Sequence, residues 1–229
     1  MPAADSLSEL KQSLSGLSHD ESALKAIRAF SESLRDTRAR LVAFNETNAM
    51  IRPPITAEQT NALGFNAKDE QFTLLQGDII TSESAYFMGE RICSGPKYVV
   101  LNSSCDLIPE RREFASLLRL KPIRRTEPEA SKKLNLLLLF KRTDSLYLPV
   151  FPDDDPDVVC NVVQFDGICQ VRSNELALAG RLASLSVVGW RIFASFSRVV
   201  FARANQRECD MREAIESDLF TAINPVKVC

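Results

Sequence analysis

The chain has 229 residues, of which 45% are hydrophobic and 25% are charged, and its formal net charge at pH 7 is −2. These values are typical of a globular protein with one core, and they exclude a strong overall field that would recruit nucleic acid. No apolar run approaches the roughly 18 residues that a membrane span needs, so we expect no membrane contact. Because the N-terminus has neither a basic start nor an apolar segment, we expect no signal peptide and a cytoplasmic location.

The cysteine and histidine content limits the chemistry of the chain. Six cysteines are scattered without a C-x-x-C pair, and His19 is the only histidine. Without an export signal, reduced thiols are the better interpretation. A structural zinc site needs clustered Cys and His ligands, and one histidine excludes a two-histidine acid/base pair. We therefore expect neither a metal site nor a cofactor.

The N-terminal part is predicted to be helical and the next part irregular. Asp20 can cap a helix, and apolar residues recur at helical spacing through residues 1–48. Pro53 and Pro54 cannot continue that helix. Residues 52–72 are predicted to form a linker that lies along the surface of the following domain.

The pattern changes after residue 72 to short apolar runs separated by glycine, proline or charged turns, which is typical of strands. The predicted strands are 72–80, 97–102, 115–121, 134–140, 146–151 and 158–165. Short strands with no helices between them predict a small antiparallel barrel or a strongly bent sheet. Apolar residues from Leu182 to Val199 then predict an amphipathic helix, and residues 207–222 a more polar last helix.

Five segments support a more specific fold. They are QGDII (76–80), GPKYVVLNSSCDL (95–107), FASLLRLKPIRR (114–125), VVQFDGICQVRSNEL (162–176) and GRLASLSVVGWRIFASFSRVV (180–200). In this order they resemble the strands and closing helix of the MazF/PemK toxin family. The resemblance implies an α+β, mainly β fold, an SH3-like small antiparallel barrel with an N-terminal helical extension and C-terminal helices.

The resemblance also suggests how the chain is divided. We expect an N-terminal helical segment at 1–50, a linker at 51–73, a MazF-like barrel with its closing helix at 74–204, and a C-terminal helix and tail at 205–229. The barrel would carry an extra segment at about 126–157.

The resemblance implies a site for RNA cleavage through the 2′-hydroxyl of RNA. That reaction needs a base, an acid and donors for the phosphate oxygens. The family pattern has an arginine before the second strand and a hydroxyl residue at the end of the third. Lys97 and Arg124 stand at these positions, and Thr126 follows two residues later. Lysine lacks the planar fork of arginine, and a guanidinium does not reproduce a hydroxyl, so this candidate catalytic set is expected to be degenerate.

Two further groups are candidates for binding. The polar tail after the strand at residue 97 consists of Asn102, Ser103, Ser104, Cys105 and Asp106, and a basic run consists of Arg111, Arg112, Arg119, Lys121 and Arg125. The basic run could contact phosphates, although glutamates are interleaved with it. Cys105 could be an activated thiolate near cations, or a half-buried cysteine in a polar turn.

The remaining candidates are an acidic stretch and a helix surface. FPDDDPD (151–157) lacks the glycine and glutamate of a calcium loop, so a solvated loop is expected. On the closing helix, Trp190, Arg191 and Arg198 are candidates for a partner interface, with core packing as the alternative.

Three functions from different classes fit these features. The first is a non-catalytic MazF-like binding module that acts through a protein partner, antitoxin-like or regulatory, in a bacterial or phage toxin–antitoxin or defence setting. The second is an active, sequence-specific and metal-independent endoribonuclease toxin that binds RNA. The third is a nucleotide or small-ligand sensor that uses residues 103–106 as donors. The resemblance also implies a homodimer. The absent hydroxyl and the near-neutral charge favour the first.

Overall fold

The computed structural model describes residues 3–46, 48–62, 74–82, 85–87, 90–91, 97–107, 111–176, 179–202 and 209–215. These residues form an α+β fold. The helices are α1 (Ala3–Ser15), α2 (Glu21–Ser33), α3 (Thr37–Asn45), α4 (Ala57–Ala62), α5 (Ala130–Leu138), α6 (Ser173–Leu176) and α7 (Val187–Phe201). The strands are β1 (Ile51–Arg52), β2 (Ile79–Thr81), β3 (Tyr86–Phe87), β4 (Glu90–Arg91), β5 (Lys97–Val100), β6 (Phe114–Arg124), β7 (Ser145–Leu148), β8 (Val158–Arg172) and β9 (Gly180–Leu185).

The strands form one curled antiparallel sheet. Its order is β1-β9-β2-β5-β6-β8-β3-β4, and β7 pairs with β8 outside this path. The register of β6 against β8 shifts between Leu118 and Leu120 and again between Ile123 and Arg124. Such irregularities bend strands, which is how a sheet curls. Within the described ranges no pairing joins β1 to β4, and the sheet is a curled half-barrel, which agrees with the strongly bent sheet expected as the alternative to a barrel. The SH3-like form of the sheet stays a prediction.

The sheet buries apolar side chains on both faces. Neighbouring residues of a strand point to opposite faces. Ile79 of β2 and Val99 of β5 belong to the larger core, which also contains side chains of α1, α2, α3, α5 and α7. Ile80 and Tyr98 belong to a smaller core on the other face. The N-terminal helices therefore share a core with the sheet.

The N-terminal region is helical but interrupted, so the prediction of one helix across residues 1–48 is wrong in its continuity. The Asp20 carboxylate accepts a hydrogen bond from the Ser22 N–H and begins α2, as expected. A second cap, which the sequence reading overlooked, is Asp36: its carboxylate accepts from the Ala39 N–H and begins α3. Each cap has extended backbone, which ends the preceding helical path and lets the helices turn back on one another.

Two predicted elements have the wrong secondary structure. The predicted strand at 134–140 is mostly helix α5, in which Leu134, Leu137 and Leu138 are buried at helical spacing. A short apolar run cannot be assigned by periodicity alone, and leucine favours helices. The predicted helix from Leu182 begins later, because residues up to Leu185 form β9. The Ser186 hydroxyl accepts from the Gly189 N–H and so fixes the start of α7.

The other predicted elements are placed correctly but differ in length. Residues 72–73 lie outside the described ranges, and β2 occupies only the end of its predicted strand. β6 and β8 extend well beyond their predicted limits. The predicted linker contains β1 and α4, and its residues from 63 lie outside the description. Of the predicted last helix, residues 209–215 are helical and the rest lie outside the description. None of the described helices is long and apolar enough to cross a membrane.

Candidate functional site

The two cations of the candidate catalytic set lie at one groove. Lys97 is the first residue of β5, and Arg124 is the last residue of β6. Because β5 pairs with β6 and β6 with β8, both side chains reach the same cavity of about 390 Å³. Arg119 and Asn161 also line it. The structure therefore brings Lys97 and Arg124 together on one rim.

Both cations are already bound by carboxylates of residues 151–157, here named the acidic loop. The Lys97 ammonium is 2.7 Å from Asp153 Oδ1 and 2.5 Å from Asp154 Oδ1. The Arg124 guanidinium is 2.8 Å from Asp155 Oδ2 and 2.6 Å from Asp157 Oδ1. Each cation thus has two carboxylates, and the positive charge of the rim is neutralised from within the chain.

Asp154 is the least exposed of the four paired aspartates in the acidic loop, and hydrogen bonds fix its position. The Asp154 carboxylate accepts from the Phe151 N–H at 2.7 Å and from the Asn161 amide at 2.6 Å. The Asp154 side chain is only 8% exposed, whereas that of Asp155 is 65% exposed. The expectation of a solvated loop is therefore wrong for Asp154, because hydrogen bonds and the Lys97 ammonium compensate its burial.

The ionisation of this cluster follows from its contacts. Burial alone would raise the pKa of Asp154, but the hydrogen bonds from Lys97, the Phe151 N–H and Asn161 hold that pKa below its usual value. The hydrogen bonds to Asp155 and Asp157 raise the pKa of Arg124. These shifts favour the charged forms of Asp154 and Arg124 at neutral pH.

The third member of the candidate catalytic set lies elsewhere. Thr126 follows the end of β6 in an exposed turn, and it does not line the groove. The described residues that line the groove include no histidine, hydroxyl residue or thiol. Lys97 and Arg124 are thus the only members of the set at this groove within the described part of the chain, and a catalytic role for the three residues stays a prediction.

Asn102 and Ser104 of the polar tail at 102–106 bond to backbone N–H groups of other segments of the chain. The Asn102 side chain accepts from the Ser116 N–H, and Ser104 Oγ accepts from the Gln76 N–H at 3.0 Å. Cys105 is exposed, with its sulfur 3.0 Å from Ser103 Oγ. The Arg111 guanidinium donates to the Cys105 carbonyl at 3.0 Å.

The basic run does not form one patch. Arg112 contacts Asp106 at 3.4 Å near the start of β6. Arg119 lines the groove, while Lys121 and Arg125 are exposed near the other end of the strand. Since β6 has 11 residues, its ends lie roughly 30 Å apart. Phosphate binding by these residues stays a prediction, and a single contiguous footprint does not exist in this arrangement.

Two of the candidate interface residues on α7, Trp190 and Arg191, contact the N-terminal region of the chain. The Trp190 indole N–H donates to Gln76 Oε1 at 3.1 Å, and its ring meets the His19 ring edge-on, with centroids 4.9 Å apart. The Arg191 guanidinium donates to the Leu14 carbonyl at 2.5 Å. Arg198 is exposed. Their role at a partner interface stays a prediction, and Trp190 and Arg191 already have partners inside the chain.

A buried polar centre that the sequence predictions do not include lies beside Trp190. Asp78 is 1% exposed; it pairs with Arg181 at 2.8 Å and accepts from the Ser184 hydroxyl at 2.6 Å. Burial raises the pKa of the Asp78 carboxyl, and these donors offset part of the rise. The Gly-Asp pair in QGDII was a signal for this centre, because buried aspartates require partners.

No protein-family model matches this chain, and no curated protein matches it with significant similarity. The resemblance to the MazF/PemK family therefore depends on the five segments alone. Among the described residues, no group of three or more His, Cys, Asp or Glu side chains is arranged to hold a metal ion.

Proposed function

We propose that this chain is a non-catalytic, MazF-like binding module that acts through a protein partner in a bacterial or phage toxin–antitoxin or defence setting. One observation supports the proposal that the module is non-catalytic. Lys97 and Arg124, the residues at the positions of the family's phosphate-handling groups, are each bound to two carboxylates of the acidic loop.

The chemistry of RNA cleavage explains why this observation matters. Phosphate oxygens need free, positioned donors in the transition state, and the 2′-hydroxyl needs a base. RNA would have to displace four carboxylates from two cations, and those carboxylates would repel its phosphates. Lys97 is held as an ion-pair partner and Arg124 cannot act as a base, because a guanidinium stays protonated.

A surface on the sheet supports the binding part of the proposal. Phe114 and Ile168 are large apolar side chains with 42% and 39% of their surface exposed. Phe114 pairs with Arg172, and Ile168 pairs with Leu118, so both lie on the same face of the β6–β8 ladder. Ile168 lies four residues along the ladder from Phe114, about 13 Å away, and we infer that the partner contacts both side chains.

The first experiment tests for catalysis. The purified natural chain, Lys97→Ala and Arg124→Ala are incubated with a long RNA of mixed sequence, and each is also strongly expressed in a bacterial host. We expect no fragments above the background of a mock purification, and growth equal to that of an empty vector. RNA fragments that disappear in both variants would overturn the proposal in favour of the endoribonuclease.

The second experiment tests for a partner. The tagged natural chain is recovered from its own host beside Phe114→Asp/Ile168→Asp and the matched control Val42→Asp, which changes an exposed apolar residue on α3. We expect one protein to be recovered in near-stoichiometric amount with the natural chain and the control, but not with the double variant. Equal recovery with all three chains would contradict the involvement of this face, and failure to recover any partner would contradict the binding function.

A further inference from the structure

A second cavity lies away from the acidic loop, where the start of α7 meets the sheet. Its volume is about 310 Å³, which falls at the small end of the range for ligand sites. The walls come from the turn before β2, residues 103–104, the junction of β9 with α7, and the segment after β1. Neither Lys97 nor Arg124 lines it, so the inference is independent of the function proposed above.

The polar wall of this cavity is held in place by internal bonds. The Gln76 amide donates to the Leu101 carbonyl at 2.9 Å and accepts from the Trp190 indole N–H at 3.1 Å. The Ser184 hydroxyl donates to Asp78 and accepts from the Ile55 N–H at 3.0 Å. A ligand would therefore meet a preformed surface and would not have to order it.

The polar groups of the cavity wall that remain available to a ligand are hydrogen-bond donors or carry positive charge. Ser104 Oγ accepts from the Gln76 N–H, and its own proton has no acceptor among the described residues. Arg52, at the rim, forms no ion pair with a described residue. α7 starts at the wall with Val187, and a helix of 15 residues places partial positive charge there.

The carboxylate in the wall of this cavity is already hydrogen-bonded and ion-paired within the chain. Asp78 is the carboxylate among the lining residues, and both of its oxygens are occupied. Oδ1 accepts from Ser184, and Oδ2 accepts from the Leu75 N–H at 2.8 Å and pairs with Arg181 at 2.8 Å. The available polar groups thus favour an anion over a cation.

The rest of the lining is apolar, with one aromatic side chain. Leu75, Leu185 and Ile55 line the cavity together with Trp190. The indole is held on one edge by Gln76 and on another by the His19 ring, so its position is fixed. A flat or aliphatic body would bury apolar surface against these side chains.

We propose that this cavity binds a small organic anion, with one carboxylate or phosphate directed at Arg52, Ser104 and the start of α7, and an aromatic or apolar body against Trp190. Its size limits the ligand to a mononucleotide or smaller. Binding requires both the charged group and the apolar body of the ligand. The polar half of the cavity contacts only the charged group, and the apolar half contacts only the body.

The full chain is titrated by calorimetry with phenyl phosphate, phenylacetate and uridine 5′-monophosphate, and with the neutral analogues benzyl alcohol and uridine. Trp190 is the only tryptophan, so its emission reports on this wall specifically. We expect saturable binding of at least one anion at concentrations below about 5 mM, and at least tenfold weaker binding of its neutral analogue. The three anions separate phosphate from carboxylate, and a nucleotide from a simple aromatic compound.

Three variants locate the binding. Arg52→Gln should weaken it by about tenfold and Ser104→Ala by about threefold, as expected for the loss of one charged and one neutral hydrogen bond. The matched control Arg38→Gln removes an exposed guanidinium on α3 that does not line this cavity, and it should bind like the natural chain. Absence of saturable binding to all three anions would overturn the proposal, and so would binding that Arg52→Gln and Ser104→Ala leave unchanged.

Discussion

The substitution Asp154→Asn tests how firmly the acidic loop holds the groove. The Asp154 carboxylate is 8% exposed and accepts from the Lys97 ammonium, the Phe151 N–H and the Asn161 amide, at 2.5, 2.7 and 2.6 Å. An asparagine of the same shape keeps one acceptor oxygen, loses the charge, and places an NH₂ group among these donors. The ammonium of Lys97, whose side chain is 14% exposed, then keeps the Asp153 carboxylate and the Phe151 ring, whose centroid is 5.0 Å away.

The substitution Asp154→Asn should lower the free energy of unfolding by more than the loss of a surface ion pair would. Hydrogen bonds to charged groups contribute about 1.5–3 kcal/mol, and Lys97 keeps one of its two carboxylates, so the free energy of unfolding should fall by about 2–3 kcal/mol. For a chain of this size the melting temperature should fall by about 4–12 °C. Asp153→Asn is the matched control, because the Asp153 side chain is 50% exposed and should contribute less than about 1 kcal/mol.

The assay is urea unfolding of the three chains at several pH values. The pKa of Asp154 is lowered in the folded chain from its ordinary 3.8, so its stabilisation is complete above that value and is lost as the pH falls through the folded pKa. The difference between the natural chain and Asp154→Asn should therefore be constant near neutral pH and shrink in acid. Equal losses for Asp153→Asn and Asp154→Asn at pH 7 would refute the reasoning.

Three further predictions concern other parts of the fold. Gly189→Ala should destabilise the chain by about 1–3 kcal/mol in urea unfolding, because its new methyl group would collide with the Met50 carbonyl oxygen; unchanged stability would show that α7 can move away. Burial raises the pKa of Cys160 to about 12, so mass spectrometry after brief alkylation at pH 8 should find exposed Cys105 modified and Cys160 intact; equal modification would contradict this. Asp36→Ala removes the cap of α3 and should lower stability by about 1 kcal/mol, whereas Asp36→Ser should restore most of it; a serine variant as unstable as the alanine variant would argue against capping.

The sequence was most informative where the physical signal is local. The Asp20 cap and the long apolar strands β6 and β8 follow from neighbouring residues, and each was predicted in the right place. Helix α5 was mistaken for a strand because a run of leucines satisfies either period, and its burial against β7 decides the outcome. Strand β9 was absorbed into the predicted helix, since its pairing partners β1 and β2 lie far away in sequence.

The candidate site was predictable only in part for the same reason. The motif order suggested that Lys97 and Arg124 share a rim, and they line one cavity. Their carboxylate partners are 56 and 57 residues away for Lys97, and 31 and 33 for Arg124. Composition and spacing carry no information about pairing over such distances. The acidic loop therefore looked like solvent-exposed chain, although its central carboxylate is buried.

The stretch between β6 and β8 has a consequence for how this protein can change over generations. It holds α5 and β7, whose leucines fill the larger core, and it also holds the acidic loop. A deletion of the whole stretch would remove these core side chains together with the carboxylates, so natural selection for a stable fold works against that route to an open groove. Single replacements of aspartate would open the groove, and Asp154 is the aspartate whose replacement should cost the most stability.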